Sequence, residues 1–226
     1  YRDQGGQHLR IRFHVASPDG QSTMAIALAN WLDAEGNKGA VTEARIDTYA
    51  PEWNRYGGVA AMPHAHALFS ASADMCMVVT AAKDKKLAIG SVDAMLTALG
   101  LSSPQQKLEF ARKHARGFAN EYDMTPKIRK QVADLANQAG DLAALRLQFW
   151  DVAHLNDAIG EVTRAGAALA DLAALDQLCT PLADIHCSVL HMHLNRLFAE
   201  NPRAQEAVFW DVLRRMYERH CALHPS

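Results

Sequence analysis

Two stretches near the beginning of the chain alternate between apolar and polar residues. Residues 8–14 read HLRIRFH, and residues 41–49 read VTEARIDTY. A period of two is the spacing at which a β-strand sends successive side chains to opposite faces. The pattern therefore predicts two strands. A Gly5-Gly6 turn directly before the first strand predicts a hairpin whose N-terminal strand ended near Tyr1, so that this strand is truncated.

From residue 59 onward the chain follows the helical period instead. Ser103-Pro104 and Thr125-Pro126 each place a capping residue before a proline at a first helical position. Residues 75–81 form a short apolar run that either continues a helix or forms a strand. The helices predicted by the pattern span residues 23–34, 60–72, 92–99, 104–122, 126–139, 142–153, 156–174, 181–199 and 203–223.

Strands at the front of the chain and helices afterwards predict an α+β fold. The expected architecture is a small N-terminal antiparallel sheet followed by a mainly helical C-terminal part. No internal repeat, linker or low-complexity segment divides the 226 residues. We therefore expect a single domain over residues 1–226.

Composition and charge restrict the class of protein. Apolar residues make up 49% of the chain and the formal charge is -2, which gives no overall electrostatic footprint for nucleic acid. No apolar run approaches the roughly 18 residues of a membrane span, so no membrane partner is expected. There is no signal-peptide pattern. The four cysteines have no CxxC spacing, and reduced, buried thiols in a cytoplasmic protein are the simplest interpretation.

Basic residues recur between Lys107 and Lys130. A solvated helix face is the favoured interpretation of this segment. Contact with a phosphate backbone stays open as the alternative.

The polar face of the first predicted strand is unusual because it is wholly basic. As a strand, residues 8–14 would send His8, Arg10, Arg12 and His14 to one side. Two guanidiniums and two imidazoles make a hydrogen-bond-donating surface that suits carboxylates or phosphates. The alternative is the solvated outer face of an antiparallel strand.

The stretch YAPEWNRYGG over residues 49–58 is irregular, because Pro51 and the glycine pair exclude a regular element. It is rich in side chains that recognise ligands, among them Arg55 and Tyr56, and loops of this kind are often functional. An ordinary connector whose aromatic rings pack on the core is the alternative.

The segment IHCSVLHMHLNRL over residues 185–197 is a second dense polar cluster. On a helix, Ser188, His191 and Asn195 lie along one side at steps of three and four residues. Such a helix could present His191 as a general acid or base. Hydrogen-bonded core histidines are the alternative. The chain has no HExxH, no CxxC, no GxSxG and no P-loop, so no metal is expected and no nucleotide or serine-hydrolase motif is present.

Three arginines and one histidine from distant segments are what a dicarboxylate site would need. Bidentate guanidiniums of Arg10, Arg12 and Arg55 would fix carboxylates. A base such as His191 would remove a proton next to a carbonyl, and the arginine charges would stabilise the developing enolate. The sequence alone does not bring the four residues together.

HLRIRFH after a Gly-Gly turn, then YAPEWNRYGG, then LHMHLNRLF occur in this order across essentially the whole chain. The ordered set resembles the C-terminal domain of lantibiotic dehydratases, the thiopeptide-type bacteriocin biosynthesis family. The resemblance implies a lyase that removes glutamate from glutamylated Ser or Thr of a ribosomal precursor peptide, leaving dehydroalanine or dehydrobutyrine. It implies no cofactor.

The resemblance also implies partners. The glutamate would be loaded from glutamyl-tRNA by a separate protein, so the chain resembles the stand-alone split form of the family. The expected partners are a precursor peptide with its leader and that tRNA-dependent glutamylation protein. A homodimer stays open.

By resemblance, Arg10, Arg12, Arg55 and His191 are implicated in elimination. The arginines would hold the glutamyl carboxylates and ester carbonyl, with His191 in proton transfer. The predicted substrate contacts are His14, Tyr56, Ser188 and Asn195. Which group takes the α-proton stays open.

Two other functions stay open. One is a thiopeptide pyridine synthase, which joins two dehydroalanines in a formal [4+2] cycloaddition and eliminates the leader peptide. The other is a non-catalytic module that binds a leader peptide along an exposed strand edge. Retention of the four Arg and His residues favours glutamate elimination.

Overall fold

Helices form almost all of the regular structure in the part of the chain that the structure describes. The structure is a computed structural model. It describes residues 2–3, 6–7, 10–13, 15, 17–34, 41, 43–121, 124–150, 152, 155–198 and 201–224. The helices are α1 Pro18–Asp33, α2 Met62–Ala82, α3 Lys85–Ala98, α4 Pro104–Glu121, α5 Pro126–Ala139, α6 Leu142–Trp150, α7 Leu155–Ala174, α8 Leu182–Leu197 and α9 Pro202–Leu223, with a 3₁₀ turn at Trp53–Tyr56.

The predicted α+β fold with an N-terminal antiparallel sheet is wrong, because the fold is helical. Strand structure in the described residues is limited to a two-residue ladder, β1 Arg2–Asp3 and β2 Gly6–Gln7, paired antiparallel. Residues 10–13 and 43–50 have an irregular backbone. His8, Leu9 and His14 of the predicted strand lie outside the described residues.

The strand prediction failed because an alternating pattern describes only the directions of side chains. It does not identify a neighbouring strand that would pair with the backbone. A strand needs a neighbour that pairs its N–H and C=O groups and a core that covers its apolar face. Ile11 and Phe13, the apolar residues that should have met a core, are 57% and 58% exposed. Among residues 10–51, no side chain that the structure describes is buried.

The chain divides into two units, Tyr1–Pro51 and Glu52–Ser226. The first contains α1, whose start is set by Ser17: its side chain accepts a hydrogen bond from the Gly20 N–H at 3.2 Å, and Pro18 follows at the first turn. The helix therefore begins earlier than the predicted residue 23. The single domain predicted for residues 1–226 stays a prediction.

Helices α2 to α9 of the second unit confirm the helical pattern. The predicted segments 60–72 and 75–81 are one helix, α2. Ser103 and Gln106 form a reciprocal capping box at the start of α4, with both backbone-to-side-chain distances at 3.1 Å. Thr125 accepts from the Ile128 N–H at the start of α5. Local capping chemistry therefore sets these helix starts.

The core of the second unit lies where α2 packs on α7 and α8, and where α4 and α5 pack on α9. Helix α2 is long and apolar enough to cross a membrane by length and composition alone. Eight of its residues, including Leu68 and Met75, are buried in the core of the second unit. Its apolar composition is therefore explained by packing inside the unit.

A buried ionic cluster ties four of these helices together. Lys107 of α4 is fully buried, and its Nζ donates to Asp93 Oδ1 of α3 at 2.7 Å. Arg146 of α6 donates to Asp93 Oδ2 at 2.8 Å, and Tyr217 Oη of α9 donates to Oδ1 at 2.8 Å. Burial would raise the pKa of Asp93, but Arg146 and Lys107 lower it overall. The solvated helix face predicted for the basic segment is therefore wrong at Lys107.

Candidate functional site

Helix α8 separates its polar residues onto two faces, as its sequence pattern predicts. Ser188, His191 and Asn195 are all half-buried on one face. His186 and His193 lie on the other and are 6% and 0% exposed. The first face is therefore open to a ligand, whereas the second belongs to the core.

His191 is held at both ring nitrogens. Its Nδ1 lies 2.7 Å from Glu206 Oε2, and its Nε2 lies 3.0 Å from Asn195 Nδ2. Because an amide nitrogen donates, Nε2 accepts and Nδ1 carries the proton that goes to the carboxylate. In this tautomer the lone pair of Nε2 accepts from Asn195, so His191 can act as a general base only where a substrate displaces that amide contact.

Glu206 of α9 holds the His191 ring, although the sequence pattern did not predict a role for it. It is 3% exposed, and it also receives Trp210 Nε1 at 3.4 Å and Arg203 Nη1 at 3.4 Å. Arg203 is itself bound to Glu121 of α4, Nη2 to Oε2 at 2.9 Å. A lone acid directly before the apolar run AVFW was the available signal. The carboxylate fixes the orientation of the His191 ring.

Arg55 reaches the same helix from the 3₁₀ turn. Its Nε donates to Ser188 Oγ at 3.3 Å, and its Nη1 lies 3.2 Å from Glu52 Oε2. Ser188 is one helical turn before His191. The structure thus brings three predicted residues, Arg55, Ser188 and His191, onto one surface, and adds Glu52 as the second anchor of the guanidinium.

The turn that carries Arg55 is closed by two glycines. Gly57 and Gly58 have φ angles of 92° and 100°, in the left-handed region that favours glycine. A Cβ on Gly57 would lie 2.7 Å from Ile185 Cδ1, at the start of α8. The Gly57 carbonyl also accepts from the Cys179 N–H at 3.2 Å. This close approach positions Arg55 against α8.

Tyr56 packs on the core, which agrees with the interpretation of residues 49–58 as an ordinary connector. Its ring is 3% exposed and meets Phe69 edge to face, with ring centroids 4.8 Å apart. The substrate contact predicted for Tyr56 stays a prediction.

Arg10 and Arg12 belong to the first unit. Both are exposed, and the Arg12 guanidinium lies over the Tyr49 ring at 4.8 Å from its centroid. His14, a predicted substrate contact, lies outside the described residues. A site that joins these arginines to Arg55 and His191 would combine the two units, and it stays a prediction.

His193 is a hydrogen-bonded core histidine. Its Nδ1 lies 3.0 Å from Ser72 Oγ and its Nε2 lies 3.0 Å from Ser91 Oγ. Ser91 Oγ donates to the Ala88 carbonyl, so it accepts from Nε2, and Nδ1 accepts from Ser72. Burial, with the charge of Arg196, lowers the pKa of His193 to about 3, which keeps the ring neutral.

The cysteines confirm only part of the expected burial, and their reduced state stays a prediction. All four are free; Cys76 is buried, whereas Cys179 is exposed. Cys187 Sγ lies 3.1 Å from His114 Nε2. Burial raises the pKa of Cys187 to about 11 and lowers that of His114 to about 4, so this pair stays neutral and the thiol is a poor nucleophile. Among the described residues, no group of three or more His, Cys, Asp or Glu side chains could hold a metal ion.

Comparison with known proteins gives the family. The model of the family described as lantibiotic biosynthesis dehydratase C-term matches residues 1–217. The chain is 26% identical over 216 residues to the subtilin biosynthesis protein SpaB of Bacillus subtilis, and the match covers 92% of this chain and 21% of SpaB. The chain thus spans about a fifth of that relative. No solved structure gives a significant match. The chain belongs to the lantibiotic biosynthesis dehydratase C-terminal family.

Proposed function

We propose that the chain is a carbon-oxygen lyase that eliminates glutamate from glutamylated Ser or Thr side chains of a ribosomally made precursor peptide. The products are dehydroalanine from Ser and dehydrobutyrine from Thr. The observation that carries the proposal is the pairing of His191 with Glu206 one helical turn from the Ser188–Arg55 contact. A fixed base beside a fixed guanidinium is what β-elimination requires.

The reaction balances without an added reagent. A base removes the α-proton of the esterified residue, the electron pair forms the Cα–Cβ double bond, and the Cβ–O bond breaks. Glutamate leaves as a carboxylate and the proton stays on the base. His191 is the candidate for proton transfer, because Glu206 stabilises the imidazolium that would form.

Arg55 is the candidate for holding charge. Its Nε and Nη1 are fixed by Ser188 and Glu52, and the side chain is 39% exposed. A guanidinium in this position can bind a glutamyl carboxylate or the ester carbonyl, whose oxygen gains charge as the α-proton leaves. We extend the same role to Arg10 and Arg12 on the resemblance of the HLRIRFH segment.

The expected partners follow from this reaction. The substrate must already carry a glutamyl ester, so a tRNA-dependent glutamylation activity would supply it on a leader-bearing precursor. A cytoplasmic location is part of the same proposal, because charged tRNA is found there.

The test is incubation of the chain with a synthetic glutamylated peptide, followed by mass spectrometry. We expect loss of glutamate by the wild type, with the glutamylated peptide persisting in Arg55→Ala and His191→Ala. Arg164→Gln is the control, because Arg164 is exposed on α7 and paired with Glu161. Unchanged turnover in both site variants would reject the assignment.

The same assay separates the other two functions. Cyclisation of a bis-dehydroalanine peptide without loss of glutamate would indicate a pyridine synthase. Peptide binding without either reaction would indicate a leader-binding module.

A further inference from the structure

A cleft between α5 and α9 is lined by residues that take no part in the site described above. Its volume is about 260 Å³. Ala133, Ala136 and Asn137 line it from α5. Arg215, Glu218 and Arg219 line it from α9. Small side chains on one wall and charged side chains on the other leave room for a polar ligand.

The carboxylate in this cleft is already neutralised. Glu218 Oε1 receives Arg112 Nε at 3.1 Å, and Glu218 Oε2 receives Arg214 Nη1 at 2.7 Å. Arg214 also binds Asp211 Oδ1, Nε to oxygen at 2.7 Å. Glu218 is thus engaged by two arginines that do not line the cleft, and Asp211 is shared between Arg214 and the cleft residue Arg215. Two carboxylates against four arginines leave the cluster with an excess of positive charge.

Arg215 and Arg219 are one helical turn apart and share the cleft. Arg219 Nη2 donates to the neutral Asn137 Oδ1 at 2.9 Å. Arg215 forms an ion pair with Asp211, Nε to Oδ2 at 3.5 Å, but its buried Nε makes no hydrogen bond in the described structure. Two like charges at this spacing repel each other unless an anion lies between them.

We propose that this cleft binds a phosphate group through Arg215 and Arg219. Guanidinium forks match the geometry of phosphate oxygens, and a pair of them matches its double charge. The Asn137 Nδ2 group can donate to a third oxygen. The phosphate would be either free or part of an RNA backbone.

The first experiment measures binding of inorganic phosphate by titration calorimetry and of a short single-stranded RNA by fluorescence anisotropy. Arg219→Gln should weaken phosphate-dependent binding about tenfold, because one charge-assisted fork is lost. Its contact is a single amide, so the fold should be retained. Arg164→Gln on α7 is the matched control, and it should bind like the wild type.

A second variant keeps both arginines. Ala133→Glu places a carboxylate in the cleft, where it should pair with the guanidiniums and compete with phosphate. Weaker binding in both variants supports the site. If inorganic phosphate binds and RNA does not, the natural ligand is a free anion; if RNA binds and inorganic phosphate does not, it is a backbone phosphate. The proposal is overturned if neither ligand binds saturably, or if binding is unchanged in Arg219→Gln and Ala133→Glu.

Discussion

Glu206 Oε2 of α9 accepts a hydrogen bond from Nδ1 of His191 of α8 at 2.7 Å. The carboxylate is 4% exposed at its side chain and the imidazole is 26% exposed, so the anchor is buried while the ring reaches the surface. A buried carboxylate behind a half-exposed imidazole fixes the tautomer and stabilises the ring when it gains a proton. The pair therefore sets the orientation and tautomer of the imidazole, as the proposed role of His191 in proton transfer requires.

Glu206→Gln tests whether this carboxylate acts through His191. The amide can keep contacts to Trp210, but it lacks the negative charge that stabilises an imidazolium. We expect the turnover number of the proposed glutamate elimination to fall about a hundredfold with little change in KM. Glu121→Gln is the control, because it removes the other carboxylate partner of Arg203 and leaves His191 untouched. Equal losses in both variants would contradict a role through His191.

Gly57→Ala tests how the Arg55 turn is positioned. Gly57 and Gly100 have φ angles of 92° and 93°, but a Cβ meets Ile185 at 2.7 Å only at Gly57 and meets nothing within 4 Å at Gly100. Gly100→Ala should cost about 1–2 kcal/mol of unfolding free energy from backbone strain alone. Gly57→Ala should cost about 1–3 kcal/mol more from overpacking. Urea denaturation measures both, and equal costs would contradict the close approach.

The buried cluster around Asp93 predicts an asymmetry between two substitutions. Asp93→Asn leaves the buried Lys107 ammonium without an opposite charge, and such breaks cost about 3–5 kcal/mol. Lys107→Met leaves Asp93 with Arg146 and Tyr217, each at 2.8 Å, so it should cost less. Urea denaturation of the two variants gives the comparison. A larger loss for Lys107→Met would show that Lys107 is the dominant partner.

Local patterns predicted the helices well and the front of the chain poorly. The Ser103-Pro104 start of α4 and the helical spacing of Ser188, His191 and Asn195 are contained within a few residues, so a sequence shows them directly. Residues 8–14 also show a clear local pattern, but a strand depends on a distant partner that the pattern does not name.

Contacts between helices explain the other differences. Lys107 looked like part of a solvated basic face, because its partner Asp93 lies on another helix. Glu206 was missed for the same reason, since its contact with His191 joins α8 to α9. The spacing of residues on one helix is periodic, but the register between two helices depends on packing that a single sequence does not display.

The buried imidazole of His193 makes stability depend on pH. Its pKa is lowered to about 3 by burial and by Arg196, whereas an unfolded histidine titrates near its usual pKa of about 6.5. Between these two pKa values, the histidine of the unfolded state therefore binds a proton that His193 of the native state does not bind. The stability that comes from burying the neutral His193 ring is fully present above about pH 6.5, and it is lost as the pH falls towards 3.

The buried His186 and the half-buried His114, whose pKa values burial lowers to about 4, act in the same direction. The free energy of unfolding should fall below about pH 6.5, by up to about 1.4 kcal/mol per pH unit for each histidine. Urea denaturation between about pH 8 and pH 5 measures the slope. His193→Gln can keep a hydrogen bond but cannot titrate, so its slope should be shallower than that of the wild type. If the free energy of unfolding depends on pH equally in the wild type and in His193→Gln, protonation of His193 is not what destabilises the protein at low pH.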